Sequence, residues 1–250
     1  RPSQERPSAN GMLMSTDAAR RLARPTQPAR AARHLALLIV TRGVAQILAL
    51  LVLTVGAARI AGALPADPQV VNGRAAFDGT GNTLTVTNSP NAIINWDRFS
   101  IGSDEAVRFV QQSASSSVLN RITGQTPSLI LGALQSNGRV FLINPNGIVF
   151  GRDARVDVNG LVASTLNLSN RDFLRRRRTF TAGAHAGPIV NQGAITTPPG
   201  GKVQLIAPDI ENSGIISSPD GDVLLAAGRS VKLVDSAEPD IAVLISAPQD

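Results

Sequence analysis

Apolar and polar residues alternate along much of the chain beyond residue 63, and this alternation predicts short β-strands. In Thr83–Thr87 the threonines alternate with two aliphatic residues, and in Asp153–Asn159 polar residues alternate with Ala and Val. A period of two is typical of a strand with one buried face. Gly, Asn, Pro and Ser interrupt these runs at short intervals, as turns require. The pattern therefore predicts an all-β structure.

The turn residues themselves repeat at a nearly constant spacing. Asn191–Ile195 and Asn212–Ile216 share the pattern Asn-x-Gly-x-Ile, and they lie 21 residues apart. Apolar runs that begin at Gly201 and Gly221 follow them with a spacing of 20 residues. A repeat of this length, made of short strands without an intervening helix, predicts a parallel β-solenoid in which each repeat forms one coil. An antiparallel β-sandwich is the alternative that the pattern leaves open.

Stacking explains why such a repeat would be stable. A single coil cannot bury its aliphatic side chains, whereas neighbouring coils bury them in a continuous column. We expect the inward positions to include Val203, Leu205, Val223 and Leu225. Asn and Gly suit the corners, because both tolerate positive φ and Asn can hydrogen-bond its own turn.

The segment Phe141–Gly151 places a polar turn between two apolar runs. The sequence of the turn, Asn144-Pro145-Asn146-Gly147, matches the residue preferences of a type I β-turn at each of its four positions. The apolar residues on both sides predict strands that are buried on both faces. From the residues alone, this turn is a well-formed corner of the fold without a further role.

Residues 1–63 differ in composition from the rest of the chain. They contain nine arginines and two acidic residues, which gives a net charge of +7. The apolar stretch Val44–Ala58 is followed by a small-x-small site formed by Ala61 and Ala63. These features predict a secretory signal peptide with its cleavage site at these two alanines. An uncleaved membrane anchor, which needs about twenty apolar residues, and a buried helix are the alternatives.

Residues 64–250 carry fifteen basic and sixteen acidic residues, a net charge of −1. The net charge of +6 for the whole chain therefore comes from residues 1–63, and we expect no nucleic-acid partner. The chain has no cysteine, which excludes disulfides and thiolate metal sites. The only two histidines, His34 and His185, are too few for a histidine metal cluster. We expect neither a metal nor a cofactor.

β-Solenoids also occur as polysaccharide lyases, so a β-helical carbohydrate-active enzyme is the alternative function. Asp153 and Asp157 share one strand face, but Arg155 lies between them, which is typical of a neutral solvent-exposed face. The arginine run Arg175–Arg178 is consistent with a solvated loop or with a contact to an anion or a glycan. Neither feature forms a recognisable catalytic arrangement, and we expect the protein not to be an enzyme.

Four blocks of the sequence, in unbroken order, match the pattern of a known family. They are Ile94–Gly102, Val107–Gln111, Leu119–Gly151 and Val158–Ser169. Together they resemble the two-partner secretion domain that opens the exoproteins of the filamentous haemagglutinin family, over roughly residues 68–235. The resemblance implies a right-handed parallel β-helix with an N-terminal cap and extra-helical β-strands. In this interpretation residues 1–63 form the Arg-rich signal peptide region and residues 64–250 form the secretion domain.

The resemblance also implies a function in secretion. In the family this domain labels a much larger adhesin, haemagglutinin, haemolysin or contact-dependent toxin for export, and an outer-membrane barrel transporter recognises it. The protein would reach the medium or the cell surface of a Gram-negative bacterium by way of the periplasm. The sequence ends at Asp250, where relatives continue through further repeats. It is thus consistent with a fragment, a truncated frame or an unusually short exoprotein, and contact with a host-cell glycan or protein receptor would fall to downstream repeats.

Two sets of site residues follow from the resemblance. The secretion motif of the family coincides with Asn144, Pro145, Asn146, Gly147 and Ile148. A neighbouring family block contains Asn120, Arg121, Gly124 and Gly132. Some members carry a second motif of the type Asn-Pro-Asn-Leu just before this block, whereas Gln111–Val118 stands there in this chain.

Overall fold

The structure is a computed structural model, and it describes residues 64–234 and 242–246. The predicted signal peptide, with Ala61 and Ala63, lies outside these ranges. The described residues form twenty strands and one short helix, α1 (Asn170–Leu174). The strands are β1 (Gln69–Asn72), β2 (Ala75–Thr80), β3 (Thr83–Asn88), β4 (Ala92–Trp96), β5 (Ala106–Val110), β6 (Ser117–Ile122), β7 (Ser128–Ile130), β8 (Ala133–Ile143), β9 (Ile148–Phe150), β10 (Arg155–Ser164), β11 (Asn167–Leu168), β12 (Arg178–Thr181), β13 (Ile189–Asn191), β14 (Ala194–Thr196), β15 (Lys202–Ala207), β16 (Ile210–Asn212), β17 (Ile215–Ser217), β18 (Asp222–Ala227), β19 (Ser230–Val234) and β20 (Ala242–Ser246).

Parallel strands from successive coils form three walls. The first wall has the order β3-β5-β8-β10-β14-β17, and the second has the order β4-β6-β8-β10-β15-β18. The third wall is formed by β7, β9, β13 and β16. The long strands β8 and β10 run through the first and second walls and join them into one sheet. The predicted parallel β-solenoid is confirmed, and the antiparallel sandwich is wrong.

Aliphatic residues at equal register form the column that the repeat predicts. One such column in the first wall consists of Leu84, Val107, Leu134, Val156, Ile195 and Ile216. In the third wall Asn191 pairs with Asn212, 21 residues later, and its Nδ2 donates to Oδ1 of Asn212 at 2.7 Å. The Asn-x-Gly-x-Ile repeat in the sequence is therefore one coil of the solenoid.

The four residues predicted to point inward in β15 and β18 lie at matching register, but only those of β15 are buried. Val203 and Leu205 are fully buried, and they pair with Val223 and Leu225. The latter two side chains are 45% and 43% exposed. Within the described residues β18 is the last strand of the second wall, so no further coil covers them.

The two additions that the resemblance implies, a cap and extra-helical strands, are both present. At the N-terminal end β1 pairs with β4, and β2 pairs with β3, both in antiparallel fashion. On the flank β11, β12, β19 and β20 form a separate antiparallel sheet, which we call the flank sheet. It covers the outer face of the second wall and encloses a second apolar cluster that includes Phe141, Phe173 and Phe180.

The flank sheet explains why both faces of the apolar run before the turn are buried. Val140 and Leu142 point into the interior of the coils, whereas Phe141 and Ile143 belong to the cluster beneath the flank sheet. Helix α1 places Phe173 in the same cluster, with its ring centroid 5.1 Å from that of Phe141. The end of β8 is therefore buried on both faces, because one face packs inside the coils and the other packs against the flank sheet.

Candidate functional site

The turn that connects β8 to β9 has the predicted closed form. The main-chain N–H of Gly147 donates to the carbonyl oxygen of Asn144 at 3.2 Å, and Oδ1 of Asn144 accepts from the main-chain N–H of Asn146 at 3.0 Å. Gly147 has a φ of +118°, which disfavours any residue with a Cβ. The short polar residues and the glycine therefore build a tight corner between two buried strands.

The side chain of Asn144 is fully buried and binds the preceding coil. Its Nδ2 donates to the carbonyl oxygen of Thr126 and to Oγ of Ser128, both at 3.0 Å. Its main-chain N–H donates at 3.0 Å to the carbonyl oxygen of Ser164 in β10. A single asparagine thus satisfies hydrogen-bonding groups on both sides of its own coil.

Asn146 connects the turn to the neighbouring family block. Its Nδ2 donates to the carbonyl oxygen of Gly124 at 2.8 Å and to Oδ1 of Asn144 at 3.0 Å. Gly124 in turn lies close to the coil before it, since a Cβ there would be 2.2 Å from the carbonyl oxygen of Asp97. The structure therefore brings the secretion motif and Gly124 together, and no side chain larger than hydrogen fits at Gly124.

The following coil closes over the other side of the turn. The N–H of Gly187 donates to the carbonyl oxygen of Pro145 at 2.8 Å, and the N–H of Ile148 donates to that of Pro188 at 3.1 Å. A Cβ at Gly187 would lie 2.7 Å from the carbonyl oxygen of Asn146. Sequence reasoning missed this Gly-Pro pair, although its composition is that of a turn.

Ile148 takes the motif into the apolar interior. It is fully buried and pairs with Ser128 of the preceding coil and Ile189 of the following coil. In the folded chain Asn144, Gly147 and Ile148 are all buried, while Pro145 and Asn146 are half-buried. In the folded domain the motif therefore contacts the coils on both sides of it.

Asn120 is a polar residue inside the apolar column of the second wall. It lies at the register of Ile94 and Leu142 and is fully buried. Its Oδ1 accepts from Nε1 of Trp96 at 3.0 Å, and its Nδ2 donates to the carbonyl oxygen of Phe141 at 3.3 Å. These bonds satisfy the buried amide and hold the indole ring of Trp96 in the core.

Arg121 and Gly132 lie apart from the turn. The guanidinium of Arg121 donates to the carbonyl oxygen of Leu168 and to Oδ1 of Asn170, which ties β6 to β11 and α1. Burial lowers the pKa of this guanidinium. Gly132 forms a corner where a Cβ would lie 2.1 Å from the carbonyl oxygen of Gly102. The family block thus contributes separately to the core, to the flank sheet and to a corner.

Gln111 takes part in coil stacking where some family members carry a second motif. Its main-chain N–H donates to Oδ1 of Asn137 at 2.7 Å, and Nδ2 of Asn137 donates back to its carbonyl oxygen at 2.8 Å. Its Nε2 donates to Oγ of Ser136 at 3.0 Å and to the carbonyl oxygen of Arg139 at 3.1 Å. In this chain the side chains of Gln111 and Asn137 thus join two neighbouring coils at this corner.

The carboxylates considered for an enzyme lie at the surface. Asp153 and Asp157 are both exposed. Across residues 64–234 and 242–246, no group of three His, Asp or Glu residues is placed to hold a metal ion. The same ranges contain no helix of the length and apolar character needed to cross a membrane.

Comparison with known proteins identifies the family. The family model described as TPS secretion domain matches residues 61–248, which are three quarters of the 250-residue chain. The chain belongs to this family. The TPS secretion domain of this chain is similar to the crystal structure of the HMW1 secretion domain from Haemophilus influenzae. The two share 41% sequence identity with a TM-score of 0.69, over 74% of this chain and 50% of that chain.

Two curated relatives from Haemophilus influenzae are also similar. One, a heme/hemopexin-binding protein of strain Rd, is 36% identical over 135 residues, which are 53% of this chain and 15% of the relative. The other carries the same name and is 32% identical over 115 residues, which are 46% of this chain and 12% of the relative. The matched segments thus cover only a small part of each relative.

Proposed function

We propose that this TPS secretion domain is the part of a larger exoprotein that an outer-membrane barrel transporter recognises while the chain is unfolded. The observation that supports the proposal is the burial of the secretion motif. The amides of Asn144 and Asn146 bind the chain's own coils, and Ile148 lies in the core. A partner therefore has little access to these side chains once the β-helix has formed.

The route follows from the two parts of the chain. Residues 1–63 act as a signal peptide that directs the chain to the inner-membrane export channel and is cleaved near Ala61 and Ala63. Residues 64–250, as an extended chain in the periplasm, pair with the transporter by strand addition, for which the alternating strand segments are suited. Outside the cell, coil stacking buries apolar surface at about 25 cal/mol per Å² and thereby opposes backward movement.

The secretion motif acts in this scheme by closing a corner that three coils share. It binds the preceding coil through Gly124 and Ser128 and the following coil through Gly187. Once the corner is formed, the following coil has fixed hydrogen-bonding partners. The motif therefore serves secretion through folding of the β-helix. The domain performs no catalytic step in this scheme.

Dependence on the transporter is tested by secretion of the full chain. The chain is expressed with and without its cognate barrel transporter, and the protein is measured in the medium and in the cells. We expect it in the medium only when the transporter is present. Equal release in both strains would contradict recognition by the transporter.

The role of the motif is tested with a matched destabilised variant. The double substitution Asn146→Ala, Gly147→Ala should leave the protein associated with the cells, whereas Thr87→Ser at an exposed strand position should be secreted normally. Leu134→Ala, which truncates a fully buried residue near the start of β8, ten residues before the motif, should reduce secretion as much at equal loss of stability. Normal secretion of Leu134→Ala would instead indicate direct contact between the motif and the transporter.

A further inference from the structure

A groove lies between the outer face of the second wall and the flank sheet, and its rim is basic. It encloses a cavity of about 520 Å³, within the range of roughly 300–1,000 Å³ that is usual for small-ligand sites. Arg139 and Lys202 line it from the coils, Arg176 lines it from the segment between α1 and β12, and Arg178 lines it from β12 of the flank sheet. We call this cavity with its four basic residues the flank groove.

The charge of the flank groove contrasts with that of the domain around it. Among the described residues that line it there is no carboxylate, although residues 64–250 as a whole carry a net charge of −1. Lys202 is paired with Asp222 at 2.7 Å, while Arg139 and Arg176 are exposed. A concave surface lined by positive charges attracts anions more strongly than positive charges that are scattered over a surface.

The geometry of the arginine run shows that two of its members are directed to this cavity. Arg176 has a φ of +58°, and its N–H donates to the carbonyl oxygen of Phe173 at 3.0 Å, so a turn fixes its position. The guanidinium carbon of Arg178 lies 4.7 Å from the centre of the Phe141 ring, which orients its planar group. Arg175 and Arg177 do not line the cavity.

Neutral hydrogen-bonding residues complete the lining. Asn91, Ser115, Ser117 and Gln204 contribute amides and hydroxyls, which are suited to the hydroxyl groups of a sugar. Guanidinium groups bind carboxylate and sulfate in a planar, bidentate manner. We propose that the flank groove binds an acidic sugar, as one or two saccharide units that carry a sulfate or a carboxylate group.

This function is separate from secretion, because none of the residues that line the flank groove belongs to the secretion motif. It requires the folded domain, since the groove exists only where the flank sheet lies against the coils. The acidic sugar would therefore be bound after export.

Calorimetry of the purified full chain at low ionic strength tests the proposal. The probes are sulfated lactose, sialyllactose, neutral lactose and inorganic sulfate. The first two carry a sulfate and a carboxylate on a sugar, and the last two test the sugar and the anion separately. We expect at least one of the two acidic sugars to bind, neutral lactose not to bind, and inorganic sulfate to bind more weakly than the acidic sugar. Added salt should weaken binding.

Matched variants locate the site. Arg139→Gln with Arg176→Gln should weaken binding about tenfold or more, which corresponds to about 1.4 kcal/mol per factor of ten. Arg175→Gln with Arg177→Gln removes the same charge beside the groove and should leave the affinity unchanged. Amide chemical-shift changes at Ser117 and Gln204 in the unmodified protein report the same site without any variant.

Three results would overturn the proposal. They are failure of both acidic sugars to bind at millimolar concentration, equal affinity for inorganic sulfate and the acidic sugars, and equal loss of affinity in the two arginine pairs.

Discussion

Replacing Asn144 by alanine tests whether its buried amide holds neighbouring coils together. The substitution removes the bonds to Thr126 and Ser128 and leaves both the main-chain N–H and Nδ2 of Asn146 without this acceptor. Thr126 is exposed and Asn146 is half-buried, so water can replace the lost partner and each bond should contribute about 1 kcal/mol. The hydroxyl of Ser128 is fully buried, which adds about 1–3 kcal/mol. We expect the free energy of unfolding to fall by about 4–6 kcal/mol in total.

The assay is reversible denaturant unfolding of the purified chain, followed by circular dichroism. The loss should appear as a lower midpoint at an unchanged slope of free energy against denaturant. Asn159→Ala is the matched control, because it removes one amide whose bond to the carbonyl oxygen of Ala114 is solvent-exposed; it should cost at most about 1 kcal/mol. Asn144→Asp keeps the acceptor but loses both donors and buries a charge, so it should destabilise at least as much as the alanine variant.

Similar stabilities of the two alanine variants would contradict this role of Asn144. If Asn144→Ala unfolds within about 0.5 kcal/mol of Asn159→Ala, a difference typical of surface substitutions, the buried amide does not hold the coils together. The proposed folding role of the secretion motif would then be wrong as well.

Three further predictions concern other parts of the domain. Gly132→Ala should destabilise by more than about 3 kcal/mol, because its Cβ would meet main-chain oxygens of the preceding coil, whereas Gly79→Ala, with open space around its Cβ, should change the unfolding midpoint little. Arg121→Ala should raise the rate of amide hydrogen exchange in the flank sheet and leave that of the first wall unchanged. The reason is that the guanidinium of Arg121 donates to Leu168 in β11 and to Asn170 in α1. Val203→Ala should lower the free energy of unfolding by about 1–3 kcal/mol, and Val223→Ala at the same register should lower it by less than half as much, because its side chain is already 45% exposed.

The repeating features of the fold could be predicted from the sequence because they depend on local patterns. The pairing of Asn191 with Asn212 follows from the 21-residue spacing, and the alternation in Asp153–Asn159 agrees with the alternate burial of the first residues of β10. Helix α1 was not predicted, since five residues are too few to show helical periodicity. The exposure of Val223 and Leu225 depends on what lies beyond β18, which a local pattern does not contain.

The candidate site was only partly accessible to sequence reasoning. The turn at Asn144–Gly147 follows from residue preferences, whereas its interpretation as a secretion motif rests on the family resemblance alone. The contact between Asn146 and Gly124 joins residues 22 positions apart, close to one coil, but the repeat alone does not fix which side chain crosses between coils. The flank groove is lined by Arg139, Arg176 and Lys202. The segment between β10 and β13, which places Arg176 beside the coils, has no counterpart in the repeat.

The two ends of the described coil stack differ in strand pairing and in the exposure of apolar side chains. At the first end β1 and β2 run antiparallel to their neighbours, so a parallel rung arriving there would meet the wrong hydrogen-bond spacing. At the other end β18 offers a parallel edge with Val223 and Leu225 uncovered. In the proposed export route, coils added from the capped end outward would each cover the exposed side chains of the coil before, and each added coil would make backward movement of the chain less favourable.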